Sequence, residues 1–382
     1  MGRKKILHVV EAFGGGVYTY MLELAKSTCE EYDVVIAYKA RPQTPMNFRE
    51  EFGKNVKFIE VKDFSRNIGM QDLKALKEIK KIIKQEKPDI VHLHSAKAGI
   101  IGRFAINDRN IKMFYTPHGY SFLKLDDSKV KRTVYKLVEH VAAFYNKNCT
   151  TIACSEGEYN QAMKIRSNCR YVNNGIDTNK IDKMNFANSF YTINTDEYED
   201  RKLKICTVGR IDTQKNPKCF NEIALNFPDD EFIWIGEGNQ RNFLTSSNIK
   251  ITGWLSNEKV IEKMAECDIF LLPSLWEGLP MSLLEAMYLK KLCLVSNISG
   301  NNNVIKNGVN GFICNTNQDF SKIINEIKDK KFDLKTISNN AKNSVLTQYN
   351  SNVMSEQYKN IYKEFSLKST EIIGFSNGSE IG

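Results

Sequence analysis

The sequence predicts an α/β protein built of two doubly wound parallel-sheet domains that face a cleft. Three observations lead there. Short apolar runs alternate with stretches of helical period along the 382 residues, the pattern of parallel strands joined by crossover helices. The alternation occurs twice, interrupted by a polar stretch, Asn179–Arg201, that holds Asp196, Glu197 and Glu199 and follows no period. The chain is also too long for one ordinary core and suits two.

The first run gives strands at Ile6–Val10, Asp33–Tyr38, Val56–Val61, Asp89–His94, Lys112–Thr116, Thr151–Cys154 and Arg170–Val172. Between them, Gln71–Gln85 places Leu73, Leu76, Ile79, Ile82 and Ile83 on one helical face with lysines opposite, and Val130–Tyr145 is patterned similarly. The second run gives strands at Lys204–Val208, Glu231–Ile235, Lys250–Thr252, Ile269–Pro273, Leu292–Ser296 and Gly311–Cys314. Its helices fall at Pro217–Asn226, Asn257–Cys267, Pro280–Leu289, Phe320–Lys328 and Leu334–Gln348. The expected division is an N-terminal domain over 1–178, a linker over 179–201 and a C-terminal domain over 202–350. A helix over 351–368 crosses back to the N-terminal domain, and a tail covers 369–382.

Hydrophobic residues make up 42% and charged residues 26%, which suits a globular fold and excludes a disordered chain. The basic start MGRKK precedes only the short apolar run Ile6–Val10, well under a secretory core. No stretch approaches the roughly 18 apolar residues of a bilayer span. The expectation is a cytoplasmic protein, or one bound to the inner face of a membrane. The nine cysteines include no C-x-x-C pair and are odd in number, so reduced thiols are expected rather than a disulfide framework or a zinc site. Charge is uneven: residues 1–180 carry +11 and the remainder −2. A basic half suits an anionic surface or substrate, or a merely lysine-rich solvated face.

Ligands of doubly wound sheets sit beyond the carboxyl ends of the strands, so the strand-to-helix turns hold the candidate site. Gly14, Gly15 and Gly16 follow the first strand. They would let backbone N–H groups approach an anion at a helix start, or simply make a tight turn; their spacing is not that of the dinucleotide fingerprint. Gly209-Arg210-Ile211-Asp212-Thr213-Gln214-Lys215-Asn216-Pro217 opens the second half, with Pro217 placed for a first helical turn. Arg210 and Lys215 are either exposed cations or a pair that meets the charge growing on a departing diphosphate. In Pro273-Ser274-Leu275-Trp276-Glu277-Gly278-Leu279-Pro280, the amides of Gly278 and Leu279 would point outward at a helix start. Glu285 lies among Met281, Leu283, Leu284, Ala286 and Met287. There a carboxylate is costly unless hydroxyl donors reach it or the face is exposed. His118, in Tyr-Thr-Pro-His-Gly-Tyr, either faces the cleft or is bonded to backbone. His92 and His94 share a strand face with no third ligand beside them, so no metal is expected. The smaller turn Gly236-Glu237-Gly238 follows another strand and could pass close to a nucleotide.

In order and spacing, these stretches resemble the family 4 glycosyltransferases, retaining enzymes with the GT-B fold of two Rossmann-like domains. The likeness runs from Ile6 to Phe365 and rests most on Glu277 and Glu285, seven residues between them, in PSLWEGLPMSLLEAM. GRIDTQKNP, HSAKAGIIGR and YTPHGYSF support it, the last two being similar to members that build bacterial surface polysaccharides. The resemblance implies that Arg210 and Lys215 neutralise the donor diphosphate without a metal, and that Glu285 holds the ribose hydroxyls. It sets Glu277 on the donor sugar, with Gly278 and Leu279 beside its phosphate and His118 near the sugar. Gly14, Gly15 and Gly16 would then close over the diphosphate, with Gly209 in the turn of Arg210 and Lys215 and the base near Gly236 and Gly253. Two positions depart from the family: Asn173-Asn174-Gly175 replaces Pro-Asn-Gly, and Asn303 stands where an acidic residue is common.

The implied activity is transfer of a hexose or N-acetylhexosamine from a nucleotide sugar, UDP-linked on family frequency. The acceptor would be a saccharide or an undecaprenyl-diphosphate-linked saccharide in capsule, O-antigen or exopolysaccharide synthesis. No other cofactor and no nucleic acid is implied. Lys97, Arg103, Lys124, Lys129, Lys131, Arg132 and Lys136 are expected to face an anionic membrane surface or the diphosphate of a lipid-linked acceptor. Two other readings fit the same fold: a nucleotide-sugar epimerase and a non-catalytic sugar-nucleotide-binding subunit.

Overall fold

The computed structural model describes residues 2–65, 69–184 and 202–374. The first sheet contains β1 (Lys5–Phe13), β2 (Asp33–Ala40), β3 (Val56–Glu60), β4 (Ile90–His94), β5 (Lys112–Thr116), β6 (Cys149–Ala153) and β7 (Cys169–Tyr171). The second contains β8 (Lys204–Val208), β9 (Glu231–Ile235), β10 (Ile249–Ile251), β11 (Ile269–Leu272), β12 (Leu292–Ser296) and β13 (Phe312–Cys314). Their orders are β3-β2-β1-β4-β5-β6-β7 and β10-β9-β8-β11-β12-β13, and neighbouring strands run parallel. β4 and β11 are buried along their whole length, which is why their sequences read as continuous apolar runs broken only by histidines.

Alternate residues of β1 feed two different cores. Ile6 and Val10 pack beneath the helix Gly15–Thr28, and Leu7 and Val9 pack against Ala75, Ile79 and Ile82 of the helix Gln71–Glu86. Leu73, expected on that buried face, is exposed; it lies on the first turn, off the stripe that Ala75, Ile79 and Ile82 make. The strand order reverses between β1 and β4 in one sheet and between β8 and β11 in the other. These switch points open a crevice at the carboxyl ends of the strands.

The start of the expected linker is the helix Thr178–Lys183, and 185–201 lie outside the described residues. The chain returns at a parallel bridge between Ile176 and Asn350. The last helix, Ser351–Gly374, extends beyond residue 368; residues 375–382 of the expected tail are outside the description. Its Met354, Tyr358 and Tyr362 complete the N-terminal core with Ile6, Val10 and Tyr20.

The helix Lys129–Tyr145 corrects a second expectation. Its apolar side is not its buried side: the residues it buries are Glu139, Ala142 and Ala143. Glu139 meets Arg103 Nη2 at 2.5 Å and accepts a hydrogen bond from Tyr115 Oη at 2.9 Å. Arg103, expected on a basic surface, is therefore a core residue. Lys97 is likewise largely buried, 2.8 Å from Asp72. All nine cysteines are unpaired. Among the described residues, no helix is long and apolar enough to cross a membrane.

Candidate active site

At the β8/β11 switch point the two turns singled out in the sequence lie against one another. Leu275 N donates to Gln214 O at 2.8 Å, and Gln214 Nε2 donates to Trp276 O at 3.1 Å. This lacing brings Lys215 Nζ to 2.7 Å from Glu277 Oε1, while Gln214 Nε2 donates to Glu277 Oε2 at 3.2 Å. Both charged groups are mostly buried, so their attraction is screened less than that of a surface pair. Asp212 caps the turn by accepting from Lys215 N.

Lys215 lies over Gly209, where φ is 144° and a Cβ would stand 2.6 Å from Lys215 Cε. Only glycine allows both that backbone and that approach. Arg210, on the same turn, pairs with Asp212 at 3.1 Å and stays half exposed at the mouth of the crevice. Gly236 N lies beside Thr252 Oγ1, and Gly253 faces open space.

Glu285 is buried in the helix Met281–Tyr288. Burial raises its carboxyl to about 7, opposed by a hydrogen bond from Asn257 and by the charge of Lys180. It is thus a desolvated carboxyl with one weak donor, able to accept more. The N-terminal domain supplies the helix start Gly14, Gly15 and Gly16. Gly14 has no side-chain cap, and Gly16 lies opposite Met281 across the crevice.

The walls meet at Gly278. A Cβ there would fall 3.1 Å from Gly119 N and 3.3 Å from Cys154 Sγ, a tight fit that a side chain would enter only if these neighbours gave by a few tenths of an ångström. Ser155 Oγ donates to Gly278 O at 3.1 Å, Asn174 Nδ2 donates to Leu279 O at 2.9 Å, and Gly157 N donates to Asn303 Oδ1 at 3.0 Å. Asn174, which matches the family's Pro-Asn-Gly, and Asn303, which departs from the family pattern, therefore tie the domains together. Glu158 accepts from Gly119 N and Cys154 N at 2.6 and 2.8 Å and holds the loop that carries His118.

His118 has a left-handed backbone, φ 54°. It is half-buried, and desolvation holds its imidazole well below the ordinary histidine range, hence neutral. His118 Nε2 is 3.1 Å from His94 Nδ1, and His94 Nε2 is 3.0 Å from His8 Nδ1. His8 is the third histidine that the sequence reading did not find beside His92 and His94. It sits opposite His92 in the β1–β4 register, a neighbour that chain spacing cannot reveal. His92 is engaged by Tyr362 Oη at 2.7 Å and Thr116 Oγ1 at 2.9 Å, and His94 by His118 and His8, whereas His8 Nε2 is buried without a hydrogen-bond partner.

Lys215, Glu277, Gly209 and Gly278 thus converge directly, with Arg210 at the mouth, Glu285 on the following helix, and His118 and Gly14–Gly16 on the opposite wall. Sequence reasoning gave no role to Gln214, Glu158, Ser155 or Asn174. Ser155-x-x-Glu158 left the spacing of a helix cap, and Asn174 stands within the junction motif Asn173-Asn174-Gly175.

Comparison with known proteins adds independent findings. A family model described as "Glycosyltransferase Family 4" matches residues 14–180, and one described as "Glycosyl transferases group 1" matches 193–344. The chain is 32% identical over 371 residues to an Escherichia coli UDP-Gal:alpha-D-GlcNAc-diphosphoundecaprenol alpha-1,3-galactosyltransferase, covering 87% of this chain and 89% of that one. It is 32% identical over 174 residues to a Campylobacter jejuni N,N'-diacetylbacillosaminyl-diphospho-undecaprenol alpha-1,3-N-acetylgalactosaminyltransferase, covering 43% and 45%. Among solved structures, Anabaena HepE in complex with UDP superposes with a TM-score of 0.74 at 15% identity, over 94% of this chain and 100% of that one.

Proposed function

The chain belongs to the family 4 glycosyltransferases and has their GT-B fold, and from that premise we propose that it moves a hexose or N-acetylhexosamine from a UDP-sugar to an undecaprenyl-diphosphate-linked saccharide, with retention. The observation that carries this reading is the Lys215–Glu277 pair at the switch point, 2.7 Å apart, on the two turns that also carry Arg210 and Gly278. As the glycosidic bond breaks, charge accumulates on the leaving UDP. A cation already fixed in a water-poor crevice stabilises that charge without reorganising. Gly14–Gly16 would add N–H donors from the opposite wall.

Glu277 is already engaged by Lys215 and Gln214, which suits a group that positions the cation and a sugar hydroxyl better than one that forms a bond to the sugar. Front-face transfer, with the leaving phosphate taking the acceptor proton, needs no carboxylate nucleophile. The lipid-linked acceptor rests on what the Escherichia coli and Campylobacter relatives act on. The test is a panel of nucleotide sugars read first by thermal shift, since a bound donor must raise stability. Transfer to a GlcNAc-diphospholipid follows, with the product anomer assigned by NMR. Free sugar released from the donor alone would favour the epimerase reading instead.

Glu285 provides a separate check. Ribose hydroxyls donate to the ionised carboxylate, so donor binding should lower its proton affinity. Because the free carboxyl titrates at about 7, affinity for a UDP-sugar should rise about tenfold between about pH 6 and pH 8. Glu285→Gln should bind more weakly and lose that slope. Calorimetry that finds the same slope in both proteins would remove Glu285 from the ribose site.

A further inference from the structure

The helix Lys129–Tyr145 is turned inside out. Val130, Val134, Leu137, Val141 and Phe144 recur at helical spacing and, with Tyr145, form one stripe that faces solvent; Val130 is 76%, Leu137 61% and Phe144 70% exposed. The opposite side holds the buried Arg103–Glu139 pair and the small Ala142 and Ala143. A free-standing surface helix does the reverse. Six large apolar side chains in one exposed stripe mark an interaction surface rather than scattered exceptions.

The rim of the stripe is basic. At 100° per residue, Lys129 and Lys136 fall on one side and Lys131 on the other, all exposed. Lys147, past the helix end, lies 4.9 Å from the Phe144 ring. A second copy of the chain docked on this stripe would set lysines against lysines. An anionic bilayer takes the apolar side chains into its acyl boundary and the lysines among its headgroups, the arrangement of an interfacial helix. The helix is also joined to the active site. The loop from His118 runs through Ser121–Leu123 to the cap Ser128, Tyr120 stacks on Phe122, and Phe122 O accepts from Arg132 Nε at 3.0 Å.

We propose that the helix Lys129–Tyr145 lies in the surface of an anionic membrane and so presents the cleft to an acceptor anchored there; this deepens, and rests on, the lipid-linked reading above. The proposal is tested by sedimenting the full-length protein with phosphatidylcholine vesicles, with and without phosphatidylglycerol. Wild type binds the anionic vesicles. Val134→Glu/Leu137→Glu, whose changed positions are already in water, keeps its melting temperature and its transfer to a short-chain, water-soluble acceptor. It loses vesicle binding about tenfold or more, and transfer to the same saccharide on a vesicle-embedded lipid falls with it. Lys129→Gln/Lys136→Gln weakens binding and flattens its dependence on salt. Unchanged vesicle binding by the glutamate variant overturns the proposal, as does a wild-type dimer that the variant abolishes while neither protein binds vesicles. If wild type binds vesicles, the variant does not, and neither transfers to any diphospholipid acceptor, the docking stands and the acceptor reading falls.

Discussion

Lys215→Ala is expected to lower turnover about 10²–10³-fold while the protein remains folded. The ammonium is held 2.7 Å from Glu277 and its stem lies over Gly209, so it stands at the turn where the nucleotide is proposed to depart. Its charge is worth most in the transition state, when the diphosphate gains negative charge, and less in the ground state. The loss should therefore appear mainly in kcat, with a smaller rise in KM for the donor. Removing Lys215 also leaves Glu277 mostly buried with Gln214 as its remaining partner, and that imbalance could itself disorder the turn. Lys215→Met/Glu277→Gln separates the two effects. If the cation acts on the leaving group, the double variant is as slow as Lys215→Ala or slower. Recovery of turnover in the double variant would show that Lys215 merely balances Glu277. Lys215→Arg should retain part of the rate, because it restores charge but not the compact fit over Gly209.

Arg103→Met is expected to destabilise the protein by about 3–5 kcal/mol, because Glu139 would remain buried without its counter-charge, keeping the Tyr115 hydroxyl as a donor. Arg103 and Glu139 are each almost inaccessible to water, at 2.5 Å from one another, and the guanidinium lies 4.4 Å from the Tyr115 ring. Urea or thermal unfolding of the N-terminal domain measures the loss. Arg103→Met/Glu139→Leu should recover most of it, since a buried pair exchanged for apolar side chains of similar volume is often neutral. If the single variant were as stable as wild type, Glu139 must find water or another donor, and the pair would not be what anchors the helix Lys129–Tyr145. The single variant should also bind vesicles less well, because the stripe is aimed outward only while Glu139 is held inward.

The two-sheet architecture was legible because parallel strands buried on both faces must be apolar throughout, and their crossover helices must be amphipathic. Those demands are local, so β1 to β13 fall within a few residues of the runs read from the chain. The candidate site was legible for a related reason. Turns that approach an anion need glycine and cations close together in sequence, and Gly209 to Lys215 and Glu277 to Leu279 supply both within single loops. Which family the chain belongs to followed from the same residues.

What tertiary structure alone decided is everything that depends on a neighbour distant in the chain. Helical period marks an apolar face on Lys129–Tyr145 but carries no information on which side meets the sheet. Glu139 is buried there against Arg103 on another helix, and the apolar stripe lies on the opposite side toward solvent. His8, His94 and His118 became one hydrogen-bonded row only when β1 and β4 paired in register. Asn174 and Asn303 acquired roles as domain ties only when the second domain stood opposite the first. Composition and period follow from each segment's need for burial and are written along the chain, whereas the partner of a buried polar group is set by where the folded chain brings its donors and acceptors together.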